Sequence, residues 1–157
     1  MRGMTRVVQP ASPADVAVVR ALFEEYARAV DAPACFGGFE SELDRLPGEY
    51  APPGGALFLA LQGGEPAGCA ALRRIDAETG EMKRLYVRPG FRGSGAGRML
   101  ALAVISAAQT SGFVRLVLDT LPTMTHAQAL YHSLGFHPIG PYLACPTPGA
   151  SCFELRL

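Results

Sequence analysis

The order of short apolar stretches in the middle of this chain most constrains how it can fold. Three of them are separated by turn residues, which predicts antiparallel strands joined by hairpins. The third leads through a glycine-rich loop into an apolar helix and then a further strand, and such a strand–helix–strand unit makes its two strands parallel. These predicted strands are residues 56–62, 67–75, 81–87 and 114–120, and the helix is residues 99–108.

The two ends of the chain complete a predicted α/β domain, a mixed sheet with helices on both faces, over residues 1–157. Ser12, Pro13 and Asp15 have the pattern of a helix start, and apolar residues at helical spacing extend that helix to about Asp31. Thr125 to Gln128 matches a capping box, which predicts a helix ending at Leu134. Weaker patterns predict strands over 5–9, 139–144 and 152–157 and a helix over 39–46.

Composition excludes several classes of function. Fourteen basic and fourteen acidic side chains give zero formal net charge, which argues against broad binding to nucleic acid. No apolar stretch reaches the ~18 residues that cross a bilayer, and no secretory signal opens the chain, so we expect a cytoplasmic protein without a membrane partner. The four cysteines, at positions 35, 69, 145 and 152, form no C-x-x-C pair. We expect reduced thiols, no zinc site and no redox dithiol.

The loop between the third strand and the apolar helix carries the strongest functional signal. Gly93, Gly95 and Gly97 leave main-chain N–H groups uncovered at a helix N-terminus, where the helix dipole favours an anion. Arg92 and Arg98 add positive charge and forked donors. The loop matches neither a Walker A sequence nor a G-x-G-x-x-G fingerprint. The loop alone favours phosphate binding, and the alternative is a turn that only lets strand and helix approach closely.

Two segments together resemble the GNAT (Gcn5-related N-acetyltransferase) family. Residues 92–97 match its [Q/R]-x-x-G-x-[G/A] loop, and residues 85–89 are similar to the strand before that loop. Downstream, Ala127, Leu130, Tyr131, Gly135 and Phe136 fit an A-x-x-L-Y-x-x-x-G-F motif. The resemblance covers nearly the whole chain and implies the GNAT fold.

The resemblance implies acetyl-CoA as cosubstrate and no metal. In the family the loop amides hold the CoA pyrophosphate, and the pantetheine arm bonds to the main chain of the preceding strand as an added strand would. Carried over, the strand contacts fall on Leu85 and Val87. The loop contacts fall on Arg92, Gly93, Ser94, Gly95, Ala96, Gly97 and Arg98.

The resemblance also implies two catalytic residues. Tyr131 matches the tyrosine that acts as general acid toward the leaving thiolate, although its helical spacing equally suits a core aromatic. Glu81 matches the glutamate that serves as general base in the histone-acetylating branch. The alternative for Glu81 is an exposed charge paired with Lys83 or Arg84. His126 is a weaker candidate base, and Met124 stands where some members carry a cofactor-binding asparagine.

The acceptor side is the least defined. In the family the first two helices and the loop between the last strands form it, which brings in Tyr26, Phe36 and Tyr50, with Phe39 and Tyr142 as the substrate-contact candidates. Glu40 and Glu42 could attract a cationic amine, but a solvated helix face is the simpler interpretation.

The expected activity is transfer of an acetyl group from acetyl-CoA to a primary amine of a small molecule or peptide, by direct attack, in a chain that could form a homodimer. One alternative is a non-catalytic acyl-CoA-binding regulatory module on the same fold, since a fold does not fix function. The other is an unrelated binder of a phosphate ligand such as a nucleotide.

Overall fold

The computed structural model describes residues 3–30, 38–143 and 148–157, and these form a seven-stranded mixed sheet with helices on both faces. The predicted mixed sheet is confirmed: the third and fourth central strands pair in parallel and the other neighbours are antiparallel. The spatial order is β1-β2-β3-β4-β5-β7-β6. The strands are β1 (Thr5–Val8), β2 (Ala56–Gln62), β3 (Glu65–Arg74), β4 (Thr79–Val87), β5 (Arg115–Thr120), β6 (His137–Ile139) and β7 (Ser151–Arg156).

The helices divide between the two faces of the sheet. Helices α1 (Pro13–Ala29) and α2 (Phe39–Asp44) pack on one face, and α3 (Ala96–Thr110) and α4 (Thr125–Ser133) pack on the other. The predicted start of α1 is confirmed, because the Ser12 side chain accepts a hydrogen bond from the Asp15 amide at 3.1 Å. Asp31, Cys35, Phe36 and Cys145 lie outside the described residues.

Three local predictions were wrong. Helix α3 begins at Ala96 rather than Met99, and although its apolar residues predict burial all round, it is buried on one side only, since Met99 and Leu102 are 37% and 46% exposed. Thr125 does not cap α4: Met124 precedes the helix without a side-chain cap, and the Gln128 amide group donates to the Leu121 carbonyl at 2.8 Å. The strand predicted over 139–144 is not formed beyond Ile139, where β6 ends. Gly140 and Pro141 follow, and proline has no N–H group to donate to a neighbouring strand.

Strands β4 and β5 diverge, and this opens the centre of the sheet. They pair only where Thr79, Gly80 and Glu81 face residues 115–117. Beyond that point β5 stays with β7 and β4 stays with β3. One edge of β4 is therefore unpaired from about residue 82 to Val87. We call the space between this edge and the end of β5 the β4–β5 opening.

A β-bulge in β4 decides which main-chain groups face that opening. Ala71 pairs with Lys83 but Cys69 pairs with Tyr86, so β4 carries one extra residue there. The Arg88 amide donates to the Ala67 carbonyl of β3 at 2.8 Å. Since donors alternate along a strand, Tyr86 also faces β3 and the main-chain groups of Leu85 and Val87 face the opening. Without the extra residue this assignment would be reversed.

Among the described residues no helix combines the length and apolar character needed to cross a membrane. Within the same residues no group of His, Cys, Asp or Glu side chains is arranged to hold a metal ion.

Candidate active site

The glycine-rich loop forms an open turn at the start of α3. Gly93 and Gly95 have φ angles of 81° and 87°, a region that glycine enters without steric cost. A Cβ atom built on either would meet no atom within 4 Å. Close approach of strand and helix therefore does not account for these two glycines. The positions instead border free space, as a cradle for a ligand would.

The loop is fixed by Ser94 while the amides after it stay available. The Ser94 hydroxyl donates to the Phe91 carbonyl at 2.5 Å and accepts from the Ala96 amide at 3.4 Å. The next two amides, of Gly97 and Arg98, bond to no main-chain carbonyl in the part of the chain that the structure describes. Helix N-termini leave such donors unsatisfied and carry partial positive charge, so this turn is suited to an anion.

Both predicted arginines flank the loop, and the side chain of each makes one hydrogen bond to the described part of the chain. The Arg92 Nε donates to the Val87 carbonyl at 3.1 Å, and Arg98 donates to the Ser133 hydroxyl of α4 at 3.1 Å. Both residues are exposed. Because a guanidinium has five N–H donors, each arginine keeps donors for a bound anion. The Arg92 contact also joins the loop to the open edge of β4.

Tyr131 lies on α4 in the core that this helix and α3 form with the sheet. Its ring packs on Phe136, with centroids 5.7 Å apart, and the residue is buried. Burial raises the pKa of Tyr131 above its usual value, and the charges of Tyr26 and Asp119 raise it further. The phenol is therefore a proton donor throughout the neutral range. The core-aromatic and functional interpretations are both compatible with this placement.

Glu81 is a buried charge at the point where β4 and β5 separate. Its side chain is fully buried and accepts a hydrogen bond from the Arg73 Nε at 2.5 Å. The Tyr142 hydroxyl donates to its other carboxylate oxygen. The alternative of an exposed charge paired with Lys83 or Arg84 is wrong. Glu81 is buried, and its partners are Arg73 on the neighbouring strand and Tyr142.

Tyr142 joins the catalytic candidates, whereas Phe39 does not. Burial and the charge of Glu81 both raise the pKa of Tyr142, so its hydroxyl stays protonated. Phe39 lies on α2, where the Arg84 guanidinium sits 5.2 Å from its ring centroid. Glu40 is exposed, as expected for a side chain on the solvated face of the helix. That expectation is wrong for Glu42, which accepts two hydrogen bonds from Arg84.

Two residues of this region were not identified from the sequence. Arg73 bridges Glu81 and Glu49, and its position follows from the β3–β4 register, in which it faces Glu81 directly. Asp119 lies near the opening, where its charge raises the pKa values of both Tyr131 and Tyr142. The alternation of side chains along β5 could have predicted which face of the sheet Asp119 lies on. Leu116 and Leu118 pack in the core beneath α3, so Asp119 lies on the other face.

The parts of the site have complementary chemistry. An anion cradle continues into an unpaired strand edge, a buried carboxylate lies where that edge begins, and a buried, protonated phenol lies on helix α4. Such an arrangement can bind an extended phosphorylated ligand, stabilise a leaving anion and accept a proton from a nucleophile.

Comparison with known proteins identifies relatives over most of the chain. The acetyltransferase (GNAT) family matches residues 19–136. An uncharacterised N-acetyltransferase of Schizosaccharomyces pombe is 33% identical and aligns over 92% of this chain and 90% of its own length.

Solved structures have the same fold at low sequence identity. An acetyltransferase from Streptococcus agalactiae is similar with a TM-score of 0.78 at 22% identity, over 98% of both chains. The PaiA N-acetyltransferase from Thermoplasma acidophilum, solved in complex with coenzyme A, gives a TM-score of 0.75 at 15% identity, over 98% of this chain and 99% of that one.

Loss of Arg73 should be costly because it would leave the Glu81 carboxylate buried without its charged partner. We expect Arg73→Met to lower the free energy of unfolding by about 3–5 kcal/mol, as for other broken buried pairs. Glu49→Gln removes the other partner of Arg73, whose side chain is 54% exposed, and should cost about 1 kcal/mol or less. Urea unfolding at neutral pH measures both, and equal losses would contradict the assignment.

Proposed function

This chain belongs to the GNAT family of acetyltransferases, and we propose that it transfers an acetyl group from acetyl-CoA to the primary amine of a small molecule or peptide. One observation carries the proposal: the anion cradle at the start of α3 runs directly into the unpaired edge of β4. Gly97 lies beside Val87, since a Cβ on it would be 3.6 Å from the Val87 side chain. A single extended ligand can therefore contact both.

The residues present suit CoA. Its diphosphate would bind the amides of residues 93–98, with Arg92 and Arg98 adding charge-assisted contacts. Its amide-bearing arm would bond to the main chain of Leu85 and Val87 and satisfy groups that have no strand partner. The structural neighbour from Thermoplasma acidophilum binds coenzyme A, which supports the same ligand here.

We assign Tyr131 to the leaving thiolate. A thiol has a pKa of about 8.5, well below that of the buried Tyr131 phenol, whose pKa is raised. Complete proton transfer from Tyr131 to the thiolate would therefore be unfavourable. The phenol instead stabilises the departing sulfur by donating a hydrogen bond, and solvent supplies the proton afterwards.

We assign proton removal from the acceptor to Glu81 and Tyr142. An amine must lose a proton to attack the thioester carbon, and Glu81 is a carboxylate buried at the opening. Because the Tyr142 hydroxyl donates to Glu81, the phenol oxygen can accept a proton from the amine while its own proton passes to the carboxylate. Glu81 then releases this proton to solvent and the departing thiolate takes one from solvent, so the protons balance.

The direct test measures release of CoA thiol from acetyl-CoA against a panel of amines: amino acids, polyamines, lysine peptides, peptide N-termini and aromatic amines. We expect turnover above background for at least one class, with an N-acetylated product by mass spectrometry. CoA binding by calorimetry with no turnover across the panel would instead favour a non-catalytic acyl-CoA module. Tighter binding of ATP than of CoA would favour a nucleotide-binding protein.

Blocking the cradle should abolish CoA binding. Gly95→Leu places a side chain in the open space at the start of α3 and forces a non-glycine residue to φ 87°. Gly112→Leu is a matched control, because Gly112 has φ 85° and equally open surroundings just beyond the other end of α3. Calorimetry should show CoA binding lost in the first variant and kept in the second. CoA binding by both variants would contradict the proposal that this loop binds the CoA diphosphate.

Removing the Tyr131 hydroxyl should slow the reaction without weakening cosubstrate binding. We expect Tyr131→Phe to lower kcat more than tenfold and to change CoA affinity less than twofold, because the lost hydrogen bond forms with the departing sulfur. The wild-type rate should not fall between pH 8 and 10 through this group, since the pKa of Tyr131 is raised above 10. A descending limb in that range that disappears in Tyr131→Phe would contradict the assignment.

A further inference from the structure

Arg84 occupies the β4 bulge in a conformation that its side chain does not favour. Its φ angle is 59°, in the left-handed region. Among residues 3–30, 38–143 and 148–157, Arg84 is the one non-glycine residue with a positive φ angle. A Cβ atom makes this conformation unfavourable, so surrounding contacts must hold it. Glycine would adopt it freely. The presence of arginine therefore indicates that the side chain itself is used.

The Arg84 side chain is held by α2 through a two-point ion pair. Its Nε and one terminal nitrogen donate to the two carboxylate oxygens of Glu42 at 3.0 and 2.9 Å. The two side chains are only 6% and 21% exposed, and the guanidinium lies near the Phe39 ring. Burial raises the pKa of Tyr50, and the nearby Glu42 charge raises it further, so the same carboxylate also lies close to that hydroxyl. A bidentate pair of this kind fixes orientation as well as distance.

The bulge that this pair holds has a direct consequence for the open edge of β4. It shifts the alternation of the strand by one residue, so the main-chain groups of Leu85 and Val87 face the β4–β5 opening. A regular strand would turn Arg84 and Tyr86 toward the opening instead. The edge offered to an extended ligand thus depends on residue 84 keeping its left-handed conformation.

We propose that Arg84 and Glu42 are positioning residues: their ion pair locks the β4 bulge and so presents Leu85 and Val87 to the cosubstrate. Neither residue is assigned a contact with acetyl-CoA. The ligand in this inference rests on the proposed function, whereas the lock itself is a property of the free protein. The same contact joins α2, on the acceptor face of the sheet, to the strand that binds the donor.

Hydrogen exchange in the free protein tests the lock without any ligand. In Glu42→Gln, which keeps a neutral acceptor, we expect the Tyr86 and Arg88 amides to exchange more than tenfold faster relative to amides of β2. Asp44→Ala is the matched control, since it removes an exposed ion pair of α2 with Arg20 and leaves the bulge untouched. A uniform acceleration across the sheet, or none, would overturn the inference.

CoA affinity tests the consequence. We expect Glu42→Gln and Arg84→Gly each to weaken CoA binding about fivefold or more, and the double variant to be no weaker than the worse single, because the two residues act as a unit. Arg84→Gly removes the backbone strain as well as the side chain, so wild-type affinity in that variant would show that the ion pair is unnecessary. If the wild type binds no CoA, the proposed function fails. Hydrogen exchange in the free protein then decides by itself whether the Arg84–Glu42 ion pair holds the β4 bulge.

Discussion

The divergence of β4 and β5 is the constraint on which the rest of the site depends. A sheet is stabilised because each strand satisfies its neighbour's main-chain groups, and a gap in the centre of the sheet leaves some of them without partners. Here the gap opens immediately after Glu81. Helices α3 and α4 pack beside it on one face and α1 and α2 on the other. The unpaired edge therefore lies inside the fold, rather than at an outer edge open to aggregation.

The divergence also explains the arrangement of the polar groups. Glu81 ends the paired part of β4, so its carboxylate is buried within the sheet layer yet lies at the start of the opening. Such a charge needs compensation, which Arg73 supplies from β3 and Tyr142 supplies from the segment after β6. Tyr131 belongs to another element, helix α4. The groups proposed for the departing sulfur and for the amine proton are thus held by different elements.

The sequence predicted what depends on local pattern. The strand over residues 56–62, the cap of α1 by Ser12 and the glycine loop follow from alternation, capping chemistry and glycine content. The point where β4 and β5 part could not be predicted, because pairing depends on strands distant in sequence. The bulge gave no signal either, since arginine is not a residue that favours a left-handed conformation. Thr125 does not act as the cap because it is already the first helical residue, and the Gln128 side chain bonds to the Leu121 carbonyl instead.

The segment from Phe39 to Tyr50 is attached to the sheet by two ion pairs as well as by apolar packing. Glu42 pairs with Arg84 of β4, and Glu49 pairs with Arg73 of β3. Arg84 lies in the β4 bulge and Arg73 on β3 opposite Glu81, so the segment is held at two points, and its Leu43 and Tyr50 side chains are buried. Phe39 and Leu46 also pack against this core. Exposed side chains of the segment outside the two ion pairs, such as Glu40, can vary to suit an acceptor without disturbing the strand edge and loop that would hold the donor.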